Sequence, residues 1–214
     1  MLLLGNIESN GMDAKSAEQS VHRNASERGL PPRERILLAA RTLFARHGVH
    51  GIGVEAIADA AGTNKMTLYR HFESKDLLVA EYLRGLTVET SAIWCELETA
   101  HPDDPLAQID AWLCRIAHHA EHGNESGCAL ASASMQITDP AHPGRKVIEA
   151  HTRQHRDNLI RLCRASGLAE PEQLADQLFL LVEGSRATWQ TVGDDNPGTA
   201  LATLAAGIIA SHRR

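Results

Sequence analysis

Between Asn64 and Lys75 the chain reads Asn-Lys-Met-Thr-Leu-Tyr-Arg-His-Phe-Glu-Ser-Lys. Lys65, Arg70 and Lys75 bring cations, Thr67 and Tyr69 hydroxyls, His71 an imidazole and Met66 a thioether. On a helix turning by about 100° per residue, Leu68 and Phe72 share one side. Met66, Thr67 and Arg70 then point roughly opposite, with Tyr69 and His71 on the flanks, and Lys65 in the first turn can reach past the helix end. That face can hydrogen-bond phosphates and the edges of bases in a major groove. Asn64 is a suitable N-cap, and the free N–H groups at the helix start add an anion-binding end.

Other residues with chemical potential are scattered. Two histidine pairs, His118 with His122 and His151 with His155, have helical i, i+4 spacing, with His119 and Glu121 near the first. Such pairs can ligate a transition metal, but they also arise by chance in a chain with 12 histidines. No metal is assigned, and a metal-sensing variant stays an alternative. Cys95, Cys114, Cys128 and Cys163 show no CxxC spacing and read as reduced thiols; a thiol sensor is a further alternative, without basic neighbours to favour it. Neither G-x-S-x-G, HExxH, a P-loop nor a dinucleotide-binding glycine pattern occurs, so no catalytic site and no cofactor is expected. The alternative of a different class is a helical enzyme whose site is assembled only by folding.

The elements that must position these groups are helical. Residues 1–30, rich in Ser, Asn, Glu and Gly, have no apolar period and read as a disordered tail. From Pro31-Pro32 onward, Ile36, Leu37, Ala40, Leu43 and Phe44 recur at helical spacing, and Gly48 ends that helix. Val54, Ile57, Ala58 and Ala61 form the stripe of a second helix, stopped by Gly62. Asn64 opens a third helix through Phe72, and Ser74 caps a fourth. A helix-turn-helix needs a small residue at the helix crossing, a glycine of positive φ in the turn and an apolar residue turned inward. Ala58, Gly62 and Leu68 supply them. Further helices are expected near 75–99, 104–122, 126–137, 144–166, 171–192 and 198–211, broken by Pro, Gly and Asp clusters. The fold class is all-α with about nine helices, divided into a helix-turn-helix domain at 31–78 and a second helical domain at 79–214.

Composition sets outer bounds. The chain has 214 residues, is 43 % apolar, and has a net charge of −6. The charge is unevenly placed: residues 31–84 hold eight Lys/Arg against six Asp/Glu, and residues 85–214 hold ten against seventeen. The front module is mildly basic, and the acidic body limits adhesion to DNA outside one docking face. No segment is long and apolar enough to cross a membrane, and Met1-Leu2-Leu3-Leu4 is too short for a signal peptide, so a cytoplasmic protein is expected.

The run Thr67-Leu68-Tyr69-Arg70-His71-Phe72, followed by Ser74-Lys75-Asp76-Leu77-Leu78, resembles the recognition helix and fourth-helix start of the TetR family. Ala39-Ala40, Leu43-Phe44, His47-Gly48, Ile57-Ala58 and Ala61-Gly62 match the same module. The resemblance covers roughly residues 33–84. It implies that Lys65, Met66 and Arg70 touch base or groove edges, while Thr67, Tyr69, His71 and Lys75 grip phosphates. The second helix departs from the pattern by opening Gly53-Val54-Glu55, without hydroxyls, and Glu55 would repel DNA if it faced it. His47 is read as lying on the apolar side of the first helix, in a structural role.

For the remainder the resemblance implies a homodimer bound to a palindromic double-stranded operator, released when a small molecule enters the helical body. Leu174, Leu178, Leu181, Val182, Ser185 and Trp189 form one broad stripe, and Leu201, Leu204, Ala205, Ile208 and Ile209 another, which suit a four-helix interface. The alternative is that they fill an intrachain core. Trp94, Trp112, Cys128, Met135, Phe179 and Trp189 are the candidate pocket residues, and the short helix at 126–137 is placed to couple the pocket to the DNA-binding module.

Overall fold

The computed structural model describes residues 29–122, 129–189 and 200–213, with the backbone alone for 119–122 and 189. The expected tail lies outside the described residues, as do Cys128 and the side chain of Trp189. Among the described residues there are nine α-helices and no strand: α1 Pro32–His47, α2 Val54–Ala60, α3 Lys65–Phe72, α4 Lys75–Ala100, α5 Pro105–His122, α6 Ala129–Gln136, α7 Pro143–Ala165, α8 Pro171–Trp189 and α9 Ala200–Ser211. No helix of the described residues is long and apolar enough to cross a membrane.

Helix boundaries follow local chemistry. Gly48 closes α1 at φ 73°, its N–H donating to the Phe44 carbonyl. At the end of α2, Gly62 at φ 60° donates to Asp59 O at 3.0 Å, and Thr63 donates to Ala58 O at 2.9 Å. This reciprocal pair is the Schellman stop, which places a left-handed residue where glycine costs least. Asn64 Oδ1 accepts from Thr67 N at 2.9 Å and Ser74 Oγ from Leu77 N at 3.1 Å, so both N-caps act as the sequence indicates. Between them Glu73 takes φ 55° without being glycine, which forces an abrupt turn from α3 to α4.

Two apolar clusters hold the helices. The first joins Ile36, Ala40 and Phe44 of α1, Ile57 and Ala58 of α2, Leu68 and Phe72 of α3, and Leu78, Val79 and Leu83 of α4. Leu130, Ala133, Ile137 and Ile148 complete it from the C-terminal part. Each fully buried Ile or Leu contributes about 1.5–3 kcal/mol. The expected boundary at residues 78/79 thus falls inside both a helix and a core. The second cluster gathers Trp94, Ile109, Trp112, Leu159, Cys163, Leu174, Leu178, Val182, Leu201, Ala205 and Ile209.

Helix α4 is the shared spar, with its most extensive packing on α7. That approach is close at Gly144, where a Cβ would stand 2.9 Å from Leu83 Cδ1 and 3.0 Å from His142 Nδ1. On the other side Arg33 pairs with Glu81 at 2.8 Å, and Arg41 makes a two-pronged pair with Glu89, tying α1 to α4. At the far end His212 closes the body: Nδ1 lies 2.7 Å from Ala169 O and Nε2 3.0 Å from Gln177 Oε1.

Candidate nucleic-acid interface and the cavity behind it

Because Leu68 and Phe72 are locked into the first cluster, the opposite side of α3 stands outward. Met66 is 84 % exposed, and Lys65, Tyr69 and Arg70 are exposed beside it. Thr67 is half-buried at the cap. Arg70 has no ion-pair partner among the described residues, so its guanidinium is available to a bidentate acceptor. Lys75, in the first turn of α4, is half-buried next to the same surface.

Two residues of this face differ from the sequence expectation. Lys65 Nζ is held 2.5 Å from Glu55 Oε1 and lies 6.0 Å from the Tyr69 ring centroid. The hydrogen bond to Glu55 and its charge raise the Lys65 pKa and lower that of Glu55. Glu55 therefore sits on the polar face of the motif and neutralises one of its cations. His71 is half-buried and its Nε2 is shut off from solvent without a partner among the described residues. A phosphate could reach this ring only through Nδ1. His47 also departs from expectation: it is exposed, because α1 ends at Gly48 one residue later and its last turn projects beyond the core.

Behind the motif, a groove of about 480 Å³ runs between the end of α1, α4 and α6, with His47, Tyr82, Ser132 and Gln136 among its walls. Gln136 bridges it: Oε1 accepts from Val49 N at 2.9 Å, Nε2 donates to Ser132 Oγ at 3.0 Å, and its carbonyl lies 2.9 Å from His50 Nε2. A Cβ on Gly48 would come within 2.6 Å of Gln136 Oε1 and push that amide aside, but the requirement for glycine here lies in its φ of 73°.

Deeper in the body a cavity of about 100 Å³ is lined by Trp112, Leu130, Ile148, His155, Phe179 and Arg186, among others. Of the candidate pocket residues, Trp112 and Phe179 are among its walls. Trp94 stacks on Trp112 with centroids 5.6 Å apart and holds His155 rather than lining the cavity itself. Met135 points outward, 56 % exposed, because α6 turns Leu130 and Ala133 inward instead. His155, Arg186 and Ile148 lie outside the candidate pocket residues of the sequence, where the i, i+4 spacing of His151 and His155 is the one signal touching any of the three. Those two rings lie 5.6 Å apart, but His155 Nδ1 is already engaged by Trp94. No group of three His, Cys, Asp or Glu side chains suited to a metal occurs among the described residues. Burial pushes the Cys163 thiol up to about 11, which leaves it unreactive.

The helix-turn-helix geometry agrees with what the chain is similar to. Residues 36–82 match the family model of bacterial regulatory proteins, tetR family. The HTH-type transcriptional repressor SCO4008 of Streptomyces coelicolor is 30 % identical over 169 residues, 74 % of this chain and 77 % of that protein. The chain belongs to the TetR family. It is a TetR-type DNA-binding transcriptional regulator with an N-terminal helix-turn-helix and a C-terminal helical body. The HTH-type transcriptional repressor KstR2 of Rhodococcus jostii is 49 % identical over 98 residues, 46 % of this chain, and the chain spans only 47 % of that relative's length in this match. A crystal structure of a TetR-type transcriptional regulator from Streptomyces avermitilis superposes with TM-score 0.75 at 29 % identity, covering 86 % of this chain and 98 % of that one. The TetR fold therefore extends over the described C-terminal helices as well as the motif.

Proposed function

We propose that this TetR-family chain is a homodimeric repressor that binds a two-fold symmetric operator and leaves it when a small molecule occupies the cavity beside Trp112 and Phe179. The observation that carries this reading is the outward face of α3, with Met66, Tyr69 and Arg70 exposed on a helix whose other side is anchored by Leu68 and Phe72. Met66 and Arg70 take the base edges, Thr67, Tyr69 and Lys75 the phosphates, and Asn64 holds the helix start open toward the backbone. Lys65 joins them once it is released from Glu55. Relatives named as repressors support the sign of regulation. The site of action is the cytoplasm, where the operator is.

One motif reads few base pairs, so a pair of motifs about one DNA turn apart is needed for useful affinity. The α8–α9 surface fits that role, through Leu204 of the expected stripes and neighbours outside them. Leu174, Leu178, Val182, Leu201, Ala205 and Ile209 are consumed by the intrachain core. What remains outward is Leu180 (69 % exposed), Gly184, Leu204 (53 %), Ala206, Gly207 and Ala210, an apolar and small-residue surface that permits close helix approach.

Selection of bound DNA from a random pool by the purified full chain tests the reading. Enrichment of a site with two inverted half-sites, bound by two copies in sedimentation experiments, is the expected result. A pool that shows no enriched sequence sinks it, and a reporter fused to the recovered site separates repression from activation.

A further inference from the structure

Of the four arginines of α1, Arg33 and Arg41 are paired across to Glu81 and Glu89 of α4, and Arg46 stands in the last turn beside the groove behind the motif. Arg35 is different. It is half-buried and has no hydrogen bond or ion pair among the described residues. Of its three nitrogens only Nε is shut off from solvent, so Nη1 and Nη2 lie open. Each of these can donate twice, and that edge of a guanidinium matches two oxygens of one phosphate.

The guanidinium lies over the turn of the helix-turn-helix. Nη1 stands 3.6 Å from the point that a Cβ on Gly62 would occupy, and glycine leaves it uncovered there. Gly62 is itself exposed. Two positions later Asn64 caps α3, and Lys65 and Met66 follow on its outward face. The open edge of Arg35 is thus held beside the start of the recognition helix. A helix seated in a major groove has a sugar–phosphate strand on either side, and about half or more of protein–DNA hydrogen bonds go to that backbone. A cation kept half out of water with no carboxylate beside it costs stability in the free chain, and its enclosed Nε limits how far the charge can swing. Resting on the DNA-binding role of the chain, we infer that Arg35 is a further DNA contact, supplied by α1, whose Nη1 and Nη2 clamp one backbone phosphate flanking the recognition helix. The contact carries no base information; it adds to every sequence alike and fixes how α3 is seated.

Arg35→Gln tests this in the full chain on two duplexes, one of random sequence and one carrying the site selected by the unaltered protein. Affinity for both falls about ten-fold, the salt slope drops by about one, and base preference stays as it was. Arg35→Lys keeps the slope, because the charge remains, but gives up the forked contact and part of the affinity. A scan of neutral methylphosphonate links through the selected site locates the phosphate: at least one link weakens the unaltered protein and leaves Arg35→Gln indifferent. An unchanged slope in Arg35→Gln, or the same methylphosphonate profile in both proteins, overturns the inference. Should Arg35→Gln fail to fold, the guanidinium resonances of Arg35 in the unaltered protein decide: they move when the random-sequence duplex is added, and unmoved resonances overturn the inference. The random-sequence duplex keeps this result apart from the reading of a symmetric operator, which fails instead when no site is enriched.

Discussion

The side chain of Gln136, in the last turn of α6, accepts a hydrogen bond at 2.9 Å from the backbone N–H of Val49, which lies 87 positions earlier. Leu130 and Ala131, on the same short helix, line the cavity. One rigid segment thus touches the cavity with its first turn and the loop between α1 and α2 with its last. Gln136→Ala leaves the Val49 amide unmatched and is expected to cost about 1–2 kcal/mol of stability. It should also speed amide hydrogen exchange at Val49 and His50 without affecting the amides of α3. Unchanged exchange at those two positions would show that the bond does not hold the loop.

On the DNA face, three substitutions separate two kinds of contact. Tyr69→Phe and Lys75→Ala should weaken binding to all sequences alike, and Lys75→Ala should lower the salt slope by about one unit. Arg70→Ala should instead flatten the preference at one base position in each half-site. Binding arrays across single-base variants of the selected operator read both effects. An unaltered base preference in Arg70→Ala removes that residue from direct readout.

The Glu55–Lys65 pair makes an unusual forecast, since removing an acidic residue should improve the protein. Glu55→Gln frees the ammonium and deletes a charge beside the exposed face of α3. Operator affinity should rise several-fold at low salt, with a salt dependence steeper by about one ion. Fluorescence anisotropy at a series of salt concentrations measures it; a loss of affinity would mean that Glu55 orients Lys65 productively.

Gly62 holds a left-handed turn with room around it, since the nearest atom to an added Cβ is Arg35 Nη1 at 3.6 Å. The cost of Gly62→Ala is therefore conformational, about 1–2 kcal/mol, and not a clash. Urea unfolding should show that loss with an unchanged m-value. Glu73→Gly should go the other way, stabilising by about 1 kcal/mol through relief of its positive φ.

His155 gives stability a definite pH signature. Its folded pKa of about 3 lies below the ordinary 6.5, so the unfolded chain takes up the proton first as pH falls. Stability is complete above about pH 6.5 and declines below it by about 1.4 kcal/mol per unit toward the folded value. His151, lowered by burial and by Arg186, adds in the same direction. The lowered carboxylates Glu81, Glu89 and Asp176 lose their contribution only further down. Denaturant midpoints between pH 7.5 and 5 should therefore fall less in His155→Phe than in the unaltered chain; parallel slopes would contradict the assignment.

How much of this could be read in advance divides by distance along the chain. The caps at Asn64 and Ser74, the stop at Gly62 and the inward pair Leu68 and Phe72 depend on neighbours within a few residues, and sequence spacing reveals them. The Val49–Gln136 and Trp94–His155 bonds join residues far apart, and no local pattern announces either. Periodicity also cannot tell which of two apolar stripes is used: Leu174, Leu178 and Val182 have dimer-like spacing yet fill their own chain's core, leaving Leu180 and Leu204 outside. Met135 is an apolar residue on a helix near the cavity, but the register of that short helix is set by Leu130 and Ala133, which leaves Met135 outside. The charge of Glu55 is legible in the sequence, while its pairing with Lys65 depends on how α2 and α3 meet.

The two arginine–glutamate links between α1 and α4 lie on the outside of a joint whose inside is Ile36, Ala40 and Phe44 clustered with Leu78, Val79 and Leu83. Electrolyte weakens exposed pairs of this kind, which are worth little to begin with, and leaves the apolar contact in place. Added salt should therefore dim the grip on the phosphates without turning the reading head on its spar, so the fall of affinity with ionic strength counts the phosphates touched.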